Sequence, residues 1–99
     1  MKIKFIKFRF LVKRCISICN SKINNIQKDD ECTIDEIKNV ILPEMTELNN
    51  IDEMNVLPPA QDRFIKSYAY AFKQWGWDMK KPSKLFRTLA KINSEYKRL

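Results

Sequence analysis

Between Pro58 and Leu99 the apolar residues recur with the period of an α-helix twice over, broken once at Trp75-Gly76-Trp77. No other feature limits so strongly what the chain can fold into. Phe64, Ile65, Tyr68, Ala71, Phe72 and Trp75 fall three and four residues apart, which places them on one helix face. Pro58-Pro59 suits the start of this helix, because a proline in the first turn lacks an N–H that would have no helical partner there. Asp62 close behind favours the positive pole of the same end. Gly76, the only glycine, stands where the pattern stops. The expectation is a left-handed residue after the helix, with Trp77 folding back on Phe72 in a Schellman closure. Pro82-Ser83 then opens a second run, Leu85, Leu89, Ile92, Tyr96 and Leu99, spaced by four, three, four and three residues. A short connector makes two such helices antiparallel neighbours, so residues 58–99 are expected to form a helical hairpin.

Upstream, Thr33 and Glu36 have the spacing of a capping box, in which the threonine oxygen takes the N3 amide and the glutamate reaches back. Ile34, Ile37, Val40 and Ile41 supply an apolar face behind it, predicting a central helix over about 34–42. Pro43 should end or kink that helix near Leu42, since its ring clashes with the carbonyl four residues back. Met45, Leu48, Ile51, Met54 and Leu57 then continue either as a second short helix beyond Pro43 or as a loop with anchored side chains. Asn20 to Glu31, rich in Asn, Ser, Lys and Asp, has the composition of a connector. The expected fold class is all-α. Residues 1–28 form a basic amphipathic N-terminal arm, and residues 29–99 form one helical domain with an acidic first part (29–53) and the basic hairpin (58–99).

The arm admits four readings. A secretory signal is excluded, because Lys13-Arg14 interrupts the apolar run and Cys15 to Cys19 is too short for a signal core or a membrane span. A mitochondrial targeting segment fits its basic, acid-free character. A short strand fits the alternation of Ile6, Phe8, Phe10 and Val12 with Lys7, Arg9 and Leu11. A basic amphipathic helix fits Phe5, Phe8, Val12, Cys15 and Cys19, spaced by three, four, three and four, and would rest on an anionic membrane surface or nucleic acid. The preferred expectation is a retained helix docked on a partner. Ile3, Ile6, Phe10 and Leu11 add more apolar surface than one helix can turn inward.

Charge is distributed in blocks. Residues 1–28 carry eight Lys/Arg and no acid, residues 29–53 carry nine acids against Lys38 alone, and residues 54–99 carry ten Lys/Arg against three Asp/Glu. These blocks of +8, −8 and +7 imply either internal pairing or attachment to something charged. Two basic ends repel unless the middle block or a partner lies between them. Along the last helix, Lys80, Lys84, Arg87, Lys91 and Arg98 form a row on one side, as a phosphate backbone or an acidic surface would require. The bland alternative is the ordinary solvated side of a helix. With Lys4, Lys7, Arg9, Lys13 and Arg14 of the arm, and with Tyr70, which falls off the main apolar face, these residues are the candidate partner or nucleic-acid contacts.

Catalytic chemistry finds little to work with. The chain contains no histidine, so no Ser-His, Cys-His or His-metal arrangement exists, and a single glycine excludes a glycine-rich phosphate loop. The acidic pairs Asp35-Glu36 and Asp52-Glu53 lie in polar stretches and have the character of solvated surface. Cys15, Cys19 and Cys32 are too few for a four-ligand zinc site and odd in number for a disulfide scaffold, which leaves them as small buried apolar residues. The expectation is a non-enzymatic protein without cofactor or metal.

Two classes of function remain. One is a small structural subunit of a larger assembly, docked on RNA or an acidic protein surface through its basic arm and basic last helix. A mitochondrial ribosome or respiratory complex would suit the acid-free N-terminus, and an intracellular location is expected in either case. The other is a free-standing helical binder, for instance one that neutralises a toxin or regulates another protein, using the acidic middle block.

Overall fold

The computed structural model describes residues 3–25, 32–51 and 59–99, with the backbone alone for Ile3, Lys4 and Ala60. Every regular element among the described residues is helical. Helix α1 spans Ile3–Asn24, α2 spans Ile34–Glu36, α3 spans Leu42–Asn49, α4 spans Lys66–Lys73 and α5 spans Lys84–Arg98. The expected all-α class is therefore the observed one. Met54, Leu57 and Pro58, where the sequence suggests anchored side chains and the opening of the hairpin, lie outside the described residues.

Helix α1 is the element on which the others assemble, packing most extensively against α5 and α3. Its spacing of three and four residues puts Phe5, Phe8, Val12, Cys15 and Cys19 in the interior, all at 5% exposure or less. The period-two reading fails because Ile6 and Phe10, which a strand would place on one face with Phe8 and Val12, stay more than half exposed. The helix also runs to Asn24 and takes the first residues of the expected connector with it. Its buried face belongs to the same core as Ile37, Ile41, Met45, Leu85, Leu89 and Ile92. Cutting α1 away would therefore remove core.

The central helix starts where its capping box places it. The Glu36 amide donates to Thr33 Oγ1 at 3.1 Å and the Thr33 amide donates to Glu36 Oε1 at 2.9 Å. Pro43 does not end the helix. Residues Ile37–Ile41 widen into a π-helical turn, with the Leu42 amide bonded five residues back to the Ile37 carbonyl, and α3 continues from there with Pro43 in its first turn. One wider turn just before the proline relieves the clash between its ring and the carbonyl four residues earlier. Met45 and Leu48 then reach the core.

The hairpin differs from expectation at its start and at its turn. Helix α4 begins at Lys66, not near Pro59; the preceding residues include a single 3₁₀ turn, Ala60–Asp62. A partner from a distant element sets this boundary. The Glu44 carboxylate of α3 accepts from the Lys66 amide at 2.6 Å, the Ser67 amide at 2.8 Å and the Ser67 hydroxyl at 2.6 Å. It satisfies donors that the first turn cannot pair internally and sets a negative charge against the positive pole. The Ile65 amide is taken by Asn93 Oδ1 of α5 at 2.9 Å. Phe64 consequently lies before the helix and is 52% exposed.

At the other end, Gly76 is left-handed with φ 66°, as its position suggests. The closure is wider than a Schellman motif. Gln74 and Trp75 both donate to the Tyr70 carbonyl at 2.8 Å, and Trp77 reaches the Ala71 carbonyl at 3.1 Å, six residues back. Trp77 does not fold onto Phe72, which is half exposed. It is buried with its ring edge-on to Phe86 at 5.5 Å, while Trp75 is only partly covered. Helix α5 opens on Ser83, whose Oγ accepts the Phe86 amide at 3.1 Å, and packs against α4.

Candidate nucleic-acid interface

The seam between α1 and α5 collects most of the candidate cations, and its contacts fix the relative direction of the two helices. At one end Lys7 meets Glu95 and the Phe8 ring stacks on Tyr96 at 5.5 Å. At the other, Leu11 and Arg14 of α1 share a cleft with Lys84, Arg87, Thr88 and Lys91 of α5. Ascending numbers on α1 thus meet descending numbers on α5, and the helices run antiparallel. Direct packing of the two basic segments contradicts the expectation that something must separate them. Their buried faces are apolar, and the cations lie at the edges of the seam.

The cleft has a volume of about 180 Å³, and among the described residues its lining comprises four cations, Leu11 and Thr88, with no carboxylate. Lys84, Arg87 and Lys91 are exposed, as is Arg14. Thr88, at 6% exposure, turns its hydroxyl back to the Lys84 carbonyl at 2.8 Å, so the cleft floor is a satisfied polar group beside Leu11. Helical spacing on α5 forms one wall, and Arg14 arrives from a segment seventy residues away in sequence.

The remaining candidates go elsewhere. Lys7 Nζ lies 3.6 Å and Arg98 Nη1 3.7 Å from Glu95 Oε1, whose side chain is only 14% exposed. Arg9 donates through Nε at 3.3 Å and Nη2 at 2.8 Å to the Ile51 carbonyl, tying α1 to the residue just beyond α3. Lys7 links α1 to α5 and Arg9 links it to the residue beyond α3, Arg98 pairs within α5, and none of the three lines the cleft. Lys80 is exposed in the α4–α5 connector, where Asp78 Oδ1 accepts its amide at 2.9 Å, and it does not line the cleft. Lys13 lies beside Ile6, Arg9 and Phe10 around a shallow depression on the outer face of α1. The Lys4 side chain lies outside the described residues. Tyr70 is exposed as its phase predicts, with its ring 5.8 Å from Trp75.

Sequence patterns did not reveal Leu11 and Thr88 in the cleft or the groove beside it. That groove, of about 100 Å³, is lined by Tyr68, Met79, Pro82, Phe86, Arg87 and Ala90. Its aromatic residues follow the helical period, which marks core and interface alike, so spacing alone cannot separate the two. In the acidic block, Glu36 and Glu44 both serve as helix caps. Cys15 and Cys19 adjoin one another inside the core, and their mutual hydrogen bond and burial push the Cys15 thiol upward, keeping it protonated. Among the described residues no His/Cys/Asp/Glu group has the arrangement of a metal site, and no helix is long and apolar enough to cross a membrane. Comparison with protein-family models, with curated proteins and with solved structures finds no match to this chain.

Proposed function

We propose that this chain is a non-catalytic, RNA-docking subunit of a larger ribonucleoprotein assembly, and that the α1–α5 cleft grips the phosphate backbone. One observation carries the reading: Arg14 joins Lys84, Arg87 and Lys91 around a depression whose lining, among the described residues, contains no acid. Gathered like charges repel, each pair by about 0.5 to 1 kcal/mol at surface separations in water, so the folded state is relieved when a polyanion enters. A chain with no histidine and one glycine brings no acid–base or phosphate-loop chemistry to such a site, which supports binding rather than turnover.

The test is titration of a fluorescent sixteen-nucleotide single-stranded RNA at several salt concentrations. Four phosphate contacts give a slope of log affinity on log salt of roughly −3, a loss of about 50-fold between 50 and 200 mM. Lys84→Glu with Arg87→Glu should remove most of this binding while leaving the unfolding midpoint within a few degrees. Unchanged RNA affinity in that variant, or an absence of binding at 50 mM salt, would overturn the proposal.

A further inference from the structure

Arg87 lies on the boundary between two faces of α5. At about 100° per residue, Lys84, Thr88 and Lys91 cluster on one side, Phe86 and Ala90 on another, and Arg87 projects between them. The structure bears this out: Arg87 lines both the basic cleft and the neighbouring apolar groove. The groove is walled by Tyr68, whose ring lies 5.6 Å from Phe86 and 6.4 Å from the half-exposed Phe72, and by Met79, itself 50% exposed. A largely apolar slot walled by the partly exposed Tyr68 over the buried Phe86 and by the Met79 thioether, and joined to a cluster of cations through the planar Arg87 guanidinium, complements a nucleotide: a flat ring next to a phosphate.

We infer that the groove receives one unstacked base of a single-stranded RNA whose phosphates occupy the cleft, with Arg87 spanning both. This inference rests on the phosphate-docking reading above and adds selection for single strands. A duplex keeps its bases stacked inside and offers nothing to the groove, whereas an unpaired base stacks on aromatic side chains and on a guanidinium plane. Charge complementarity from the cleft argues for this occupant over an apolar peptide.

The experiment compares a twelve-nucleotide oligoadenylate carrying 2-aminopurine, the same sequence as a duplex, inorganic polyphosphate of equal charge and oligoglutamate. Each is titrated into the full-length chain and two variants. Ala90→Leu fills the groove, and Met79→Ser strips one wall at an exposed connector position, which keeps the test valid if the first variant folds poorly. The expected result is a change in 2-aminopurine fluorescence as the base leaves its adenine stack, absent with the duplex, about tenfold weaker binding of the single strand by each variant, an unchanged salt slope and unchanged polyphosphate affinity. Equal affinity for oligoadenylate and polyphosphate, insensitive to both variants, would overturn the groove while leaving the phosphate reading standing. Absence of binding by both would remove both readings. Oligoglutamate binding with the same sensitivity to the variants would also overturn the base assignment.

Discussion

The two ends of the α1–α5 seam contain similar numbers of cations and treat them in opposite ways. Around Glu95, Lys7 and Arg98 share a nearly buried carboxylate, and Arg9 is spent on the Ile51 carbonyl. Around Thr88, Arg14, Lys84, Arg87 and Lys91 share one cleft with no acid in its lining among the described residues. Arg14 and Lys7 are seven residues apart on α1, or about 10 Å, close to a Debye length at physiological salt. The two fields therefore act almost separately. A count of basic residues does not separate the two ends; what differs is whether a described carboxylate or carbonyl stands among the cations.

The largest blow to this comparison should come from the seam itself. Phe8→Ala removes the fully buried ring stacked on Tyr96 and should cost about 3 to 5 kcal/mol in denaturant unfolding. A cost below about 1 kcal/mol would mean that the seam does not position the two clusters. Next, Glu44→Ala strips three hydrogen bonds from the start of α4, for an expected loss of about 2 kcal/mol. Glu36→Ala, which loses one reciprocal cap bond, should cost about 1 kcal/mol. Because the Glu44 cap sits where Ile65 meets Asn93 and close to Tyr96, amide exchange after Glu44→Ala should quicken first at the start of α4 and the Lys7–Glu95 end and spare the Thr88 end. Uniform loosening would erase the distinction.

Glu95→Gln makes the two ends alike. It should change stability by less than about 1 kcal/mol, the usual range where the cations of an ion pair stay largely in solvent, as Lys7 and Arg98 do, and raise polyphosphate affinity about two- to threefold. Unaltered affinity would show that the far end contributes nothing even when uncompensated. The smallest effect concerns pH. Burial pushes the Tyr96 phenol above its ordinary value, with Arg63 pulling the other way and Glu47 and Glu44 adding to the rise. A raised folded value favours the protonated form, so this contribution is complete below about pH 10 and fades as pH climbs through the folded value. Tyr96→Phe should abolish that alkaline component of unfolding, and a surviving component would assign it to another group.

Two glutamates show where the sequence speaks and where it does not. Glu36 caps a helix whose first residues are its own neighbours, and a three-residue spacing identifies it. Glu44 caps a helix twenty-two residues away and carries no local signature. The aromatic turn divides in the same way. Gly76 announces its left-handed backbone because other residues adopt that conformation only at a cost. Which tryptophan is buried depended on the wider closure that swings Trp77 onto Phe86. On the candidate surface, Lys84, Arg87 and Lys91 were legible as a row, because one helix sets their spacing.

By itself the sequence determined the helical class, the capping box and the basic wall of α5, which follow from spacings within single helical segments, whereas for α1 it offered a helical face beside a strand and a targeting segment. The tertiary structure decided that α1 lies inside the core, that α4 starts at Lys66, that Lys7 and Arg98 are tied to Glu95, and that Arg14 completes the cleft. Each of these depends on which segments meet, and that follows from the packing of several apolar faces at once, which no local period encodes.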